Sequence, residues 1–472
     1  MDAVSEKDVV IVGGGLAGLA AAAALVSAGH RGTGGTIRII EGRRRVGGRA
    51  ASFEDPTAGE LVDACQHVAL GCCTNFLDLC RQAGIAGSLR RDRTLWFIAP
   101  DNARAACEAS RWLPAPFHLL PLLGGMGHLS AGDKLNLAVG VVRLARTMNR
   151  GDRDAAADEP ATHAWLVRIG QRPRVIELFW RPVIESAVGE SLELVAVSAA
   201  RKVLVDAFLA HPSALELYVP TAPLDELFGD GIAAWLEREG VVIETGVQAA
   251  AIERSAEGRI AGVAVHRSGE PARRITCGQC VLAVPWKQAA KLVPGIVVEG
   301  DSRLAGSPIT AVHLWFDRPV VDLPHAVLVG RLSQWVFCPN RDQYCQIVIS
   351  ASRSLERMDR QAVVDRVVEE LRQAFPAARG ASLVASRVVT EPTAVLSVRP
   401  GADALRPGPK TSIEGLFLAG DWTSTGWPST MEGAVRSGRI AADVLLRSRG
   451  LPGRPLVPDL PKNPLVRLFV RG

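Results

Sequence analysis

Residues 8–49 hold the densest set of groups in the chain that are able to do chemistry. Gly13, Gly15 and Gly18 meet the spacing G-x-G-x-x-G. Glu41 stands about 20 residues further on, and the segment after it reads EGRRRVGGRA, with Arg43, Gly47, Gly48 and Arg49. Gly13 permits a tight turn, Gly15 lets a pyrophosphate come close to the backbone, and Gly18 lets a helix pack on a sheet. Leu16 and Ala17 fill the turn into that helix, whose N-terminus offers unpaired N–H groups and a partial positive charge to an anion. Glu41 suits ribose hydroxyls, and guanidinium groups beside paired glycines suit phosphate. The chemistry indicated is dinucleotide binding. A second cluster, Asp63, Gln66 and His67, is polar within an apolar stretch. It needs partners if buried, and it holds the residue types that move protons.

The elements that must position these residues are legible beside them. Residues 9–12 form an apolar run that reads as a buried parallel strand, 19–28 an Ala-rich helix, and 36–40 a second strand closed by Glu41. A strand before the glycines, a helix after them and an acid on the next strand make the fingerprint specific. Near the other end, GLFLAGDWTSTGWPSTMEGAVRSGRIAADVLL reads as a buried strand at 416–419, a Gly420–Asp421 turn, and a helix from about Met431 to 446.

The segment from Glu41 to Arg49 resembles the second motif of the amine oxidase and phytoene desaturase superfamily of flavoproteins. The segment around Gly420, Asp421 and Met431 resembles that superfamily's last motif. The resemblance implies FAD as cofactor, with Arg43 and the Gly47–Gly48–Arg49 turn at the pyrophosphate and near the flavin. It places the backbone at Val247 against the adenine, Asp421 at the ribitol or phosphate end, and the helix N-terminus at Met431 facing the flavin carbonyl. Within the superfamily, the Asp63, Gln66 and His67 segment and the Leu-Pro-Ala-Pro stretch after Trp112 resemble the hydroxysqualene dehydroxylase family. That family has D-N-G-Q-H where this chain has Ala64 and Cys65 in the middle, and an Asn where Gly189 and Glu190 stand here. The resemblance implies a reductive dehydroxylation of a long apolar isoprenoid, hydroxysqualene to squalene in hopanoid biosynthesis. His67 and Asp63 are the catalytic candidates, and the electron donor is unidentified. The rival readings are a phytoene-desaturase-like isoprenoid desaturase, another flavin amine oxidase-type enzyme, or a non-catalytic prenyl-lipid-binding protein of the same fold.

Composition bounds these readings. At 472 residues the chain is too long for one simple core. Hydrophobic residues make up 48% and aromatics only 5%, so its apolar content is largely aliphatic. A net charge of +5 marks no nucleic-acid partner. The location expected is cytoplasmic, and the charge is compatible with peripheral contact at the anionic inner face of the membrane. Nine cysteines read as reduced, mostly buried thiols. The lone pair Cys277 and Cys280 lacks the companions a zinc site needs, so no metal is expected. The acidic, polar start MDAVSEKD does not read as a signal peptide.

The fold class expected is α/β: a Rossmann-like FAD-binding domain with a substrate domain made of a mixed sheet and a helical cap. Residues 1–89, 229–290 and 396–448 are assigned to the FAD-binding domain, and 90–228 to a largely helical cap and substrate region. Residues 291–395 are assigned to the substrate-domain sheet and 449–472 to a C-terminal tail. Within the cap, 164–187 reads as one helix, and 149–160 as a polar linker.

Overall fold

The apolar run Val9–Val12 forms the centre of a five-stranded parallel sheet. Its neighbours are Ile37–Glu41 on one side and Gln279–Leu282 on the other, with Val9 in register with Ile37 and Gln279. Val242–Thr245 and Leu416–Leu418 complete the edges. A computed structural model describes residues 7–30, 34–56, 59–147, 159–297, 301–338 and 342–468. The expected linker at 149–160, apart from its last two residues, lies outside these, as do residues 1–6 at the start and 469–472 in the tail.

Helix Leu16–Ser27 and the last helix, Met431–Ser448, lie against one another beside this sheet. Their contact depends on a glycine: a Cβ on Gly438 would stand 2.0 Å from the Ala17 carbonyl oxygen. The strands of this sheet come from the three stretches 1–89, 229–290 and 396–448. A small antiparallel sheet, Gln248–Arg254, Ile260–His266 and Arg273–Thr276, sits beside them.

The second large sheet has seven strands, in the order Leu383–Leu396, Gly306–Phe316, Tyr344–Ser350, Trp335–Phe337, His325–Leu328, Leu95–Ile98 and Arg104–Cys107. It is mixed, because His325–Leu328 pairs in parallel with Leu95–Ile98. One face buries Val312, Leu314, Ile347 and Ile349 with Val363, Val367 and Leu371 of helix Arg360–Ala374.

One sequence expectation gains detail and one needs correction. The stretch 90–228, expected to be largely helical, also supplies strands. Leu95–Ile98 and Arg104–Cys107 belong to the seven-stranded sheet, and Leu89–Asp92 pairs with Leu217–Pro220. The helix expected over 164–187 is two helices. Thr162–Arg168 stops before Gly170, which has a φ of +75°, and helical structure resumes at Pro173. Glycine takes that left-handed conformation readily, and proline is at home in a first helical turn. The cap helices form their own core around Leu137, Trp165, Trp180 and Leu204, which reaches Phe97 and Val327 of the sheet.

Candidate active site

The glycine fingerprint behaves as its spacing requires. Gly13 has a φ of +112°, and a Cβ there would lie 2.4 Å from the Ala283 carbonyl oxygen. A Cβ on Gly18 would lie 1.9 Å from the Gly13 carbonyl oxygen, so both positions are closed to side chains. Gly15 differs: a Cβ there would meet only the Gly48 Cα, at 3.8 Å. Gly15 is also the N-cap of helix Leu16–Ser27, and no side chain caps that end. A helix N-terminus with an open backbone surface in front of it is an anion site.

The second motif is laid directly on the first. Gly47 N–H donates to the Gly14 carbonyl at 2.9 Å. Arg43 Nη1 donates to the Gly48 carbonyl at 2.7 Å, which holds the turn and brings a guanidinium to the edge of the cradle. Glu41 accepts the Gly14 N–H through Oε2 and the Arg43 N–H through Oε1, each at 2.7 Å. A carboxylate has lone pairs for further donors, so these bonds aim Glu41 without exhausting it. Val247 is buried, and its N–H donates to the Glu41 carbonyl at 3.0 Å. Its amide is therefore spent inside the fold, which narrows the adenine contact expected of it.

The last motif joins the same place. Arg49 Nη2 pairs with Asp421 Oδ1, and Arg49 Nη1 donates to the Ala394 carbonyl at 2.6 Å. Asp421 was expected at the ribitol or phosphate end of the cofactor. Here its buried carboxylate is paired with Arg49, as a buried charge requires. The Asp421 carbonyl accepts from Arg406 Nη2 at 2.9 Å and from Ser429 Oγ at 3.2 Å. Gly420 N–H is anchored on Ser437 Oγ at 2.8 Å. Thr430 caps the last helix by accepting the Gly433 N–H at 3.1 Å. A chain of contacts thus runs from Gly15 to Gly48, Arg49, Asp421 and Ser429, and so to Met431.

The residues fit FAD. The Gly15–Gly48 cradle would take the pyrophosphate with Arg43 beside it, and Glu41 the ribose. The turn from Gly420 to Met431 would face the flavin end.

His67 and Met431 line one crevice with Phe76, Tyr218, Leu227 and Phe228. His67 Nδ1 lies 2.7 Å from the Cys65 carbonyl. A carbonyl only accepts, so Nδ1 carries the proton and the neutral ring presents Nε2 as a lone pair. Burial lowers the His67 pKa, with the Arg49 charge adding to it, while the Cys65 bond opposes. His67 is therefore a poor proton donor.

Asp63 has the opposite bias. Burial raises its carboxyl to about 6, against the donors Leu224 N–H at 2.9 Å and Ser52 Oγ at 2.7 Å. The two catalytic candidates thus divide into an acceptor and an acid, a distinction invisible in the sequence.

Two residues the sequence reading passed over hold this site. Gln346, on strand Tyr344–Ser350, accepts the Gln66 N–H and donates to the Asp63 carbonyl at 3.0 Å. It pins the Asp63–His67 loop to the seven-stranded sheet. Glu432 is fully buried, accepts the Phe76 N–H at 2.8 Å and the Asn75 N–H at 3.2 Å, and so caps helix Thr74–Gln82 from the last helix. An acid one residue after Met431 was the only local signal for it.

An α/β dinucleotide-binding sheet, with a helix-bearing second sheet tied through Gln346 to the loop that carries His67, defines a flavin-dependent oxidoreductase. The chain belongs to the flavin containing amine oxidoreductase family, whose profile matches residues 16–446. It is an enzyme of that family and uses FAD. It is 27% identical over 448 residues to hydroxysqualene dehydroxylase of Sinorhizobium fredii, covering 93% of this chain and 98% of that one. It is 26% identical over 472 residues to 15-cis-phytoene desaturase of an Oncidium hybrid cultivar, covering 93% of this chain and 78% of that one. An oxidoreductase from Methanosarcina mazei shares the fold, with a TM-score of 0.65 at 16% identity over 91% of this chain and 98% of that one. The thiols are free and seven of the nine are buried; burial raises Cys277 to about 12. Among the described residues no helix is long and apolar enough to cross a membrane.

Proposed function

We propose that the protein removes an allylic hydroxyl from a long isoprenoid by reduction, converting hydroxysqualene to squalene for hopanoid biosynthesis. The observation that carries this reading is the similarity to hydroxysqualene dehydroxylase along nearly the full length of both chains, 93% and 98%. On this reading, 1–89, 229–290 and 396–448 form the FAD-binding domain. Residues 90–228 and 291–395 hold the substrate, and 449–472 is a tail.

In the overall change a C–O bond breaks, the oxygen leaves as water with one added proton, and a C–H bond takes its place. When bound, reduced FAD supplies the hydride equivalent. Hydroxide is a poor leaving group, so the chain must supply a proton. Asp63, at about 6, carries one in about a tenth of molecules at pH 7. His67 Nε2 accepts the substrate O–H and fixes its direction. Phe76, Leu227 and Phe228 keep water from the developing positive charge.

The second reading, desaturation of a carotenoid precursor, is favoured by the 26% identity to phytoene desaturase. Incubating the flavin-loaded protein with hydroxysqualene and a reductant, and separately with phytoene and an oxidant, decides between them. Squalene is the expected product. Desaturated phytoene without squalene would transfer the assignment to the second reading. His67→Ala is expected to lose turnover while keeping its flavin, and unchanged turnover would remove His67 from the mechanism.

A further inference from the structure

The longest-reaching unexplained feature lies on the cap, and none of its side chains lines the crevice. Trp112 is 94% exposed, and Leu113, Phe117 and Leu120 stand out of the same short loop at 39%, 40% and 55%. A tryptophan so open gains nothing from the fold itself, and a cluster of exposed apolar side chains marks an interaction surface. We propose that residues 111–121 form a preformed docking loop that seats the cap on an anionic lipid bilayer.

The loop is built to enter an apolar medium. Ser110 Oγ accepts the N–H groups of Trp112 and Leu113 at 3.2 and 3.1 Å. Ser110 N–H donates to the His118 carbonyl at 2.8 Å, and His118 N–H to the Pro114 carbonyl at 3.2 Å. Pro114, Pro116 and Pro121 have no N–H to satisfy. Beneath the tip, His118 is buried, and its Nε2 reaches the Phe208 carbonyl at 3.2 Å. The N–H groups of Trp112, Leu113 and His118 are therefore used internally and the three prolines have none, which lowers the penalty for leaving water. The loop is also ordered before any contact is made.

The surroundings supply the electrostatic half. From 110 to 147 the chain carries Arg111, Lys134, Arg143 and Arg146 against a single acid, Asp133. Asp133 is buried and paired with Arg172 at 3.1 Å. Lys134 Nζ donates to the Gly124 carbonyl at 2.9 Å, tying helix Ala131–Ala145 to the end of the loop. Just beyond it, Leu135 and Val139 are 68% and 42% exposed, one helical turn apart on one face. Apolar side chains with tryptophan at the boundary and cations around them suit a bilayer surface with anionic headgroups. Contact is with the surface alone, since no described helix is long and apolar enough to span. The inference does not rest on the choice of isoprenoid.

The test uses the full-length, FAD-loaded protein sedimented with phosphatidylcholine vesicles, with and without phosphatidylglycerol. The expected result is binding that strengthens with phosphatidylglycerol and weakens with salt. In the triple variant Trp112→Ser, Phe117→Ser, Leu120→Ser, binding should fall roughly tenfold or more, with flavin content and melting temperature unchanged. Brominated lipids should quench the wild type more than Trp112→Ser, which places the indole in the membrane. A wild type that stays in solution with both vesicles would overturn the proposal, as would a triple variant that binds equally well. A wild-type dimer that the triple variant dissociates would give the loop to a second copy of the chain instead. Vesicle binding without squalene formation would leave this proposal standing and remove the previous one.

Discussion

At the scale of the residue, three glycines of one motif make separable demands. Alanine at Gly15 fits its backbone, φ −73° and ψ 177°, and its methyl would stand in the open cradle. Gly15→Ala should fold with an unchanged apoprotein melting temperature and retain little FAD. Gly18→Ala drives a methyl to 1.9 Å from a backbone oxygen. It should lower stability by about 1–3 kcal/mol, as overpacking does. Flavin absorbance and thermal unfolding of both variants check the pair; equal flavin content would refute the role given to Gly15. Asp63 carries a second prediction. Its folded pKa of about 6 lies above the ordinary 3.8, so the folded state binds the proton more tightly than the unfolded state does. The stability it contributes is complete below 3.8 and is lost as pH rises through about 6. Asp63→Asn has no such titration. The advantage of the wild type over it should shrink across that window in urea unfolding at each pH, and a constant difference would show that Asp63 does not titrate there.

At the scale of the element, what could be read in advance was what is local. The strand Val9–Val12, its glycine turn and helix Leu16–Ser27 follow one another, so pattern and spacing suffice. Leu95–Ile98 could not be placed that way, because its partner His325–Leu328 is far along the chain. Leu383–Leu396 was hidden for another reason. It contains Pro392, which argues against a central strand, and the structure puts it at a sheet edge with a register shift near the proline. The Asp63–His67 segment stood out by composition, whereas Gln346, which holds it, looked like any polar residue on a strand. Glu432 was hidden in the same way, since its work is done on another helix. It supplies the N-terminal cap that Cys73 does not provide to Thr74–Gln82. Glu432→Gln keeps one acceptor and loses the charge, and should cost about 1–2 kcal/mol in urea unfolding. A loss no larger than that of an exposed Glu→Gln control would show that the cap carries no weight.

At the scale of the whole molecule, the nucleotide-binding part and the seven-stranded sheet are joined by specific polar ties. Arg49 reaches both Asp421 and the Ala394 carbonyl, and Gln346 reaches the Asp63–His67 loop. The cap has its own tie. Glu190, fully buried at the end of the cap helix Arg181–Val188, pairs with Arg353, which also donates to the Gly306 carbonyl at 3.0 Å. Ser397 Oγ and Ser191 N–H complete its partners. Removing the guanidinium leaves a carboxylate in the interior with only neutral donors. Arg353→Met should therefore cost about 3–5 kcal/mol. Adding Glu190→Gln should recover a large part of that, because the stranded charge, not the lost pairing, is the main penalty. The cap is expected to loosen first, so limited proteolysis of Arg353→Met should cut between 159 and 216 before the nucleotide-binding sheet is attacked. A double variant no more stable than Arg353→Met would mean that the pair itself, acting as a geometric latch, holds the cap against the seven-stranded sheet.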